Sequence, residues 1–212
     1  MTQIAWVLLA TAIAFAAVDW LAVARANLQL RQVFKPATML LLIAVALSLH
    51  PASAGQRQLF VAALLLSLAG DVLLLLGERG FRAGLTAFLA AHLVFSAGFL
   101  VAGVDRALLA FAAPAVAVVS LAVGGQVLRS LLRSGNRTMA PPVLAYLLAI
   151  SATVALAAAS GKPAALAGAI LFYASDGMIA WNRFVRPLPW SIVPVMVTYH
   201  LAQVGLVLSL AS

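Results

Sequence analysis

Long apolar runs, separated by short stretches that carry most of the charge, organise this chain. The runs extend from Ile4 to Ala24, Pro36 to His50, Gln58 to Leu76 and Leu85 to Gly103, then Ala107 to Leu128, Ala140 to Ser160, Pro163 to Trp181 and Pro189 to Ala211. A helix that crosses a bilayer needs about 20 apolar residues, with a lower limit near 17. Seven runs meet that length. The second, from Lys35-Pro36 to His50-Pro51, is short, so it must be little tilted, extended backwards through Phe34, or matched by local thinning of the bilayer. The expected fold is all-α, a polytopic transmembrane bundle of eight helices. The longest loops, Arg25 to Lys35 and Arg129 to Met139, are too short to fold alone, so residues 1–212 read as a single integral membrane domain.

Composition supports the same class. Hydrophobic residues make up 65% of the chain and charged residues 8%, where a soluble domain would carry about a quarter charged. Met-Thr-Gln at the start lacks the basic region of a secretory signal, so the first run is read as a retained span. No cysteine is present, which excludes disulfides, thiolate metal sites and a cysteine nucleophile. A formal charge of +8 would suggest nucleic acid in a soluble protein. Here the charges sit in loops between spans, which points to topology and lipid phosphates as the partners and not to nucleic acid. Ten of the 13 basic residues fall in the loops after the first, third, fifth and seventh runs. The positive-inside rule then places both termini on the non-cytoplasmic side. The expected location is the cell (inner) membrane if the source is bacterial.

The polar residues inside the runs carry the candidate chemistry. Asp71 interrupts "SLAGDVLLLL", and placing an ionisable acid near the middle of a membrane helix costs about 3 kcal/mol even on lenient scales. Asp19, Asp71 and Asp176 lie six to eight residues before Arg25, Arg79 and Arg183, which sets them roughly 9 to 12 Å from one membrane face. His92 lies about 15 Å in from the same face, and Tyr199, His200 and Gln203 follow on the last run. Each has a plainer reading: hydrogen-bonded packing for an isolated acid, interhelical polar contact for Tyr199 and Gln203, an interfacial position for Asp19 and His50. Their shared depth favours a common site. Ala69-Gly70-Asp71 and Ala174-Ser175-Asp176 are also alike, and a histidine follows each one run later, which suggests a parallel four-plus-four duplication.

The stretches "SLAGDVLLLL", "GLTAFLAAHLVFSAGF", "GAILFYASDGMIAWNRF" and "TYHLAQVGL", with the Lys35-Pro36 pair, resemble the lysoplasmalogenase family of multi-pass membrane proteins, also called YhhN-like. The likeness runs from about Lys35 to Leu206. It implies an eight-helix enzyme that cleaves the vinyl ether bond of lysoplasmalogens to a fatty aldehyde and a glycerophospho-base. Asp71 and Asp176 fall on the family's two acidic positions and His92 on its Ala-His position. His200 stands where family members often carry another aromatic residue.

The residues suit that chemistry independently. A vinyl ether hydrolyses by protonation at its β-carbon, and water captures the oxocarbenium ion. Two carboxylates can supply an acid, an anion and a base, as they do at glycosidic centres. Burial favours the neutral form of one carboxylic acid while a neighbour stays ionised. Asp71 and Asp176 are the expected pair, with His92 orienting or relaying a proton. Tyr199, Asn182 and Gln203 are expected to bind water or the glycerol, and Lys35, Arg82 and Arg183 the lipid phosphate. No cofactor or metal is expected. The alternatives are a proton-coupled transporter, a non-catalytic lipid-binding membrane protein, and a zinc lipid hydrolase of ceramidase type, against which no two histidines share a helix at ligand spacing.

Overall fold

The computed structural model describes residues 1–211, and its first two helices meet across only three residues. α1 (Gln3–Ala24) ends in a left-handed turn at Ala26, φ +50°, and the Asn27 N–H reaches back to the Ala22 carbonyl at 2.8 Å. The Asn27 side chain then accepts the Leu30 N–H, so one residue closes α1 and caps α2 (Leu28–Ser48). This corrects the loop expected from Arg25 to Lys35. The second span is of ordinary length because it extends backwards past Phe34. Gln29, Arg31 and Gln32 hide this start from a hydropathy reading. Pro36 lies inside the helix, and Lys35 is carried from a presumed loop into the interior, where it is 4% exposed.

The remaining helices follow the apolar runs: α3 (Ala54–Leu75), α4 (Phe81–Ala102), α5 (Arg106–Arg133), α6 (Ala140–Ala159), α7 (Pro163–Phe184) and α8 (Ile192–Leu208). All eight spans are long and apolar enough to cross a membrane, and the described residues contain no strand. The links after α1, α3, α5 and α7 gather at one end of the bundle, called here the basic end.

Consecutive helices pair as antiparallel hairpins, with the most extensive contact between α3 and α4, followed equally by α1 with α2 and α7 with α8. Small residues permit this closeness, as expected where lipid supplies no hydrophobic force between helices. At the α7–α8 crossing, Gly168 and Gly205 bring backbone against backbone. A Cβ on Gly168 would lie 2.8 Å from the Ala202 carbonyl, and one on Gly205 would lie 2.8 Å from the Gly168 Cα. On α3, Gly70 leaves room for the Phe88 ring, which a Cβ would meet at 2.6 Å. Beyond the hairpins, α2 packs on α8 and α6 packs on α4, so the two halves exchange contacts in a matching way. α5 sits at the edge, against α6 and α7.

Candidate active site

Asp176 stands on α7, two turns before its end, on a face turned towards α4 and α6. The Tyr146 hydroxyl on α6 donates to its Oδ2, and His92 Nε2 on α4 approaches the same oxygen at 3.3 Å. The His92 ring is fully buried, edge-on to Tyr146 at 5.5 Å and tilted against Phe172 at 4.5 Å. Behind it the Thr153 hydroxyl, 3.5 Å from His92 Nδ1, also meets Ser96 at 3.1 Å. Neither partner engages Oδ1, and the Asp176 side chain is 14% exposed. The exposed part faces a lateral cleft of about 90 Å³ between α4, α5, α6 and α7. The walls are almost wholly apolar, including Leu85, Val127, Ile150 and Phe184, and Asp176 is the one carboxylate among them. An apolar slot with a single acid suits an apolar chain carrying one reactive group.

Asp71 has a different setting. It is fully buried on α3, with Lys35 Nζ 3.0 Å from Oδ1 and the Tyr199 hydroxyl donating to Oδ2 at 2.6 Å. Lys35 also lies 5.6 Å from the Tyr199 ring centroid. The Asp71 cluster continues towards α1. Arg31 Nε stands 3.9 Å from the buried Asp19, and the Trp20 indole donates to His200 Nδ1 at 3.0 Å. Asp19 is therefore an interior group, not the interfacial one expected.

Aromatic rings separate the two clusters. Phe172 touches His92 on one side and the Tyr199 ring, at 5.6 Å, on the other. Phe88 closes the partition, with its centroid 6.1 Å from Phe172 and 5.8 Å from Tyr199. The arrangement has a rough internal symmetry. Asp71 on α3 takes partners from α2 and α8, and Asp176 on α7 takes partners from α6 and α4. These are equivalent helices in a four-plus-four scheme.

The structure thus brings Asp176 and His92 together at the cleft. It places Asp71, Lys35, Tyr199 and the buried Gln203 in the second cluster. The two acids do not share a cleft. Lys35, expected to hold a phosphate, is engaged by Asp71 inside the bundle. Asn182 is occupied by the α7–α8 turn: its amide donates to Ser191 and its carbonyl accepts the Leu188 N–H. Arg183 forms a bidentate ion pair with Glu78 and lies 4.7 Å over the Phe81 ring at the cleft's basic end. The guanidinium holds the Glu78 carboxyl below the usual glutamate range. Arg82 is exposed on the first turn of α4. His92 and His200 belong to different clusters, and among the described residues no three His, Asp or Glu side chains gather as metal ligands. Tyr146 was not foreseen. A lone tyrosine in an apolar helix reads as packing, and only the correspondence of α6 with α2 would have pointed to it.

Fold and site together define a multi-pass membrane protein with a divided polar interior and one carboxylate open to an apolar lateral cleft. The chain belongs to the YhhN family, whose profile matches residues 30–210. It is 33% identical over 157 residues to the human protein named lysoplasmalogenase TMEM86B, covering 74% of this chain and 65% of that one. It is 35% identical over 179 residues to the lysoplasmalogenase of Mycobacterium tuberculosis, covering 82% and 68% respectively. The chain therefore spans about two thirds of the length of these relatives. No solved structure matches it.

Proposed function

We propose that this protein is a membrane hydrolase that cleaves the vinyl ether bond of a lysoplasmalogen, or a related lyso-ether lipid, to a fatty aldehyde and a glycerophospho-base. The observation that carries this reading is the Asp176 carboxyl, held by Tyr146 and His92 and open to an apolar cleft. The names of the relatives support it. The alkenyl chain lies in the cleft with its double bond at Asp176. The carboxylic acid, protonated on Oδ1, gives its proton to the β-carbon, and the ether oxygen shares the positive charge left on the α-carbon. Tyr146 and His92 steady the resulting carboxylate through Oδ2, since hydrogen bonds to an ionised acceptor are the stronger kind. A water attacks the α-carbon and gives its proton to Asp176. The hemiacetal then breaks its bond to the glycerol oxygen, which takes the proton from Asp176, while the hemiacetal hydroxyl returns its own proton to that carboxyl and the aldehyde departs. One carboxyl acts first as acid and then as base.

Asp71 contributes one layer back. With Lys35 it fixes the Tyr199 hydroxyl, and Tyr199 with Phe172 and Phe88 forms the wall against which His92 rests. Purified protein should release aldehyde from a lysoplasmalogen and none from the saturated-ether lysolipid of equal chain length. A folded, monodisperse preparation that releases none from either would refute the reading and leave lipid binding or transport.

A further inference from the structure

Two of the three residues expected to hold a lipid phosphate have other partners, Lys35 in Asp71 and Arg183 in Glu78, and the third, Arg82, is exposed on the first turn of α4. A second recess lies beside the cleft at the basic end. It is a groove of about 610 Å³ formed by Gln126, Arg129, Ser130, Arg133 and Ser134 of α5 and its end, with Val185 after α7. Val127 and Phe184 line the cleft while their chain neighbours Gln126 and Val185 line the groove, so the two recesses adjoin. Ser130 sits at the junction, its hydroxyl donating to the Phe184 carbonyl.

We propose that this groove is the headgroup subsite, in which Arg129 and Arg133 bind the phosphodiester of a lysophospholipid whose chain occupies the cleft; this rests on the function proposed above. Gln126, Arg129 and Arg133 recur at intervals of three and four, which sets them on one helix face. Among the described residues neither arginine meets a carboxylate, and Arg129 engages only Nε, with the Gly125 carbonyl at 3.0 Å. Its terminal nitrogens remain for an anion. The level is also right. α5 has 28 residues, about 42 Å at 1.5 Å each, against a hydrocarbon core of about 30 Å. Its last two turns therefore stand among lipid headgroups. Arginine is suited to phosphate because its planar fork donates two bonds at once. Arginines at a helix end also complement the helix dipole and fix topology without binding anything, and the experiment separates these roles.

The test compares KM for a lysoplasmalogen with KM for the 1-alkenylglycerol that lacks the phosphate. Arg129→Gln and Arg133→Gln should each raise the first about 10-fold, the usual scale for a charge-assisted bond, with kcat and the second KM little changed. Arg106→Gln, an exposed charge at the opposite end, should alter neither. Binding without turnover is read from thermal stabilisation by the saturated-ether lysophospholipid relative to 1-alkylglycerol. That preference should fall in both variants even if no aldehyde is ever released, so failure of this inference is distinguishable from failure of the reaction. Equal KM ratios and equal stabilisation in wild type and variants would overturn the subsite. So would stabilisation by glycerophosphate or inorganic phosphate equal to that by the lipid, which would mark a general anion site.

Discussion

Asp176 and Asp71 are both acids within a membrane helix, yet their surroundings give them opposite sensitivities. Asp176→Asn keeps the size and most of the hydrogen bonding but cannot move a proton. Loss of a general acid or base costs a factor of about 10² to 10⁴ in rate, so kcat should fall by that much while thermal stability changes little. Tyr146→Phe removes one donor to Oδ2 and should lower kcat about 10- to 100-fold, the worth of a hydrogen bond to a charged group. Asp71→Asn leaves the buried Lys35 ammonium without its anion, and breaking such a pair costs about 3 to 5 kcal/mol. Here loss of stability should dominate. Lys35→Met combined with Asp71→Leu should recover much of it, because an apolar pair of similar bulk has no charge to desolvate. If Asp71→Asn were as stable as wild type but inactive, Asp71 would be a reacting group and the assignment to Asp176 alone would fall.

At the scale of helices, the α7–α8 crossing sets the separation of the two clusters, because α7 carries Asp176 and α8 carries Tyr199. Gly168→Ala and Gly205→Ala each place a methyl within 3 Å of facing backbone, which cannot move as a side-chain tip can. Overpacking of this kind costs about 1 to 3 kcal/mol, and the helices should separate. A lowered melting temperature together with a lowered kcat is the expected result, while Gly125→Ala, which meets nothing within 4 Å, should be silent. Undiminished stability in both crossing variants would show that the contact is not close in the membrane. The helices themselves were legible as apolar runs, and Asp71, His92 and Asp176 stood out because ionisable groups are rare there. The start of α2 was not legible, since a polar first turn at the headgroup level looks like a loop. Nor was the pairing of the acids. Hydropathy gives the depth of a residue but not the helix it faces, so Asp71 and Asp176 looked adjacent when Phe172 and Phe88 stand between them. Tyr146 was hidden for the same reason.

For the whole molecule, the cleft, the groove of arginines and the Glu78–Arg183 pair all lie at the basic end, so the sidedness of the bundle decides which leaflet supplies the substrate. The excess of Lys and Arg at that end predicts that it faces the cytoplasm. The chain contains no cysteine, so single cysteines can report on this without a background. Ser134→Cys sits at the basic end, exposed after α5, and Ala52→Cys sits at the other end, exposed between α2 and α3. In intact cells a membrane-impermeant maleimide should label Cys at position 52 and not at position 134. Permeabilisation should make both reactive. Both positions are exposed, so a difference before permeabilisation reports the membrane and not burial. The reverse pattern would turn the bundle over, and the lysolipid would then enter from the outer leaflet while the geometry around Asp176 stayed the same.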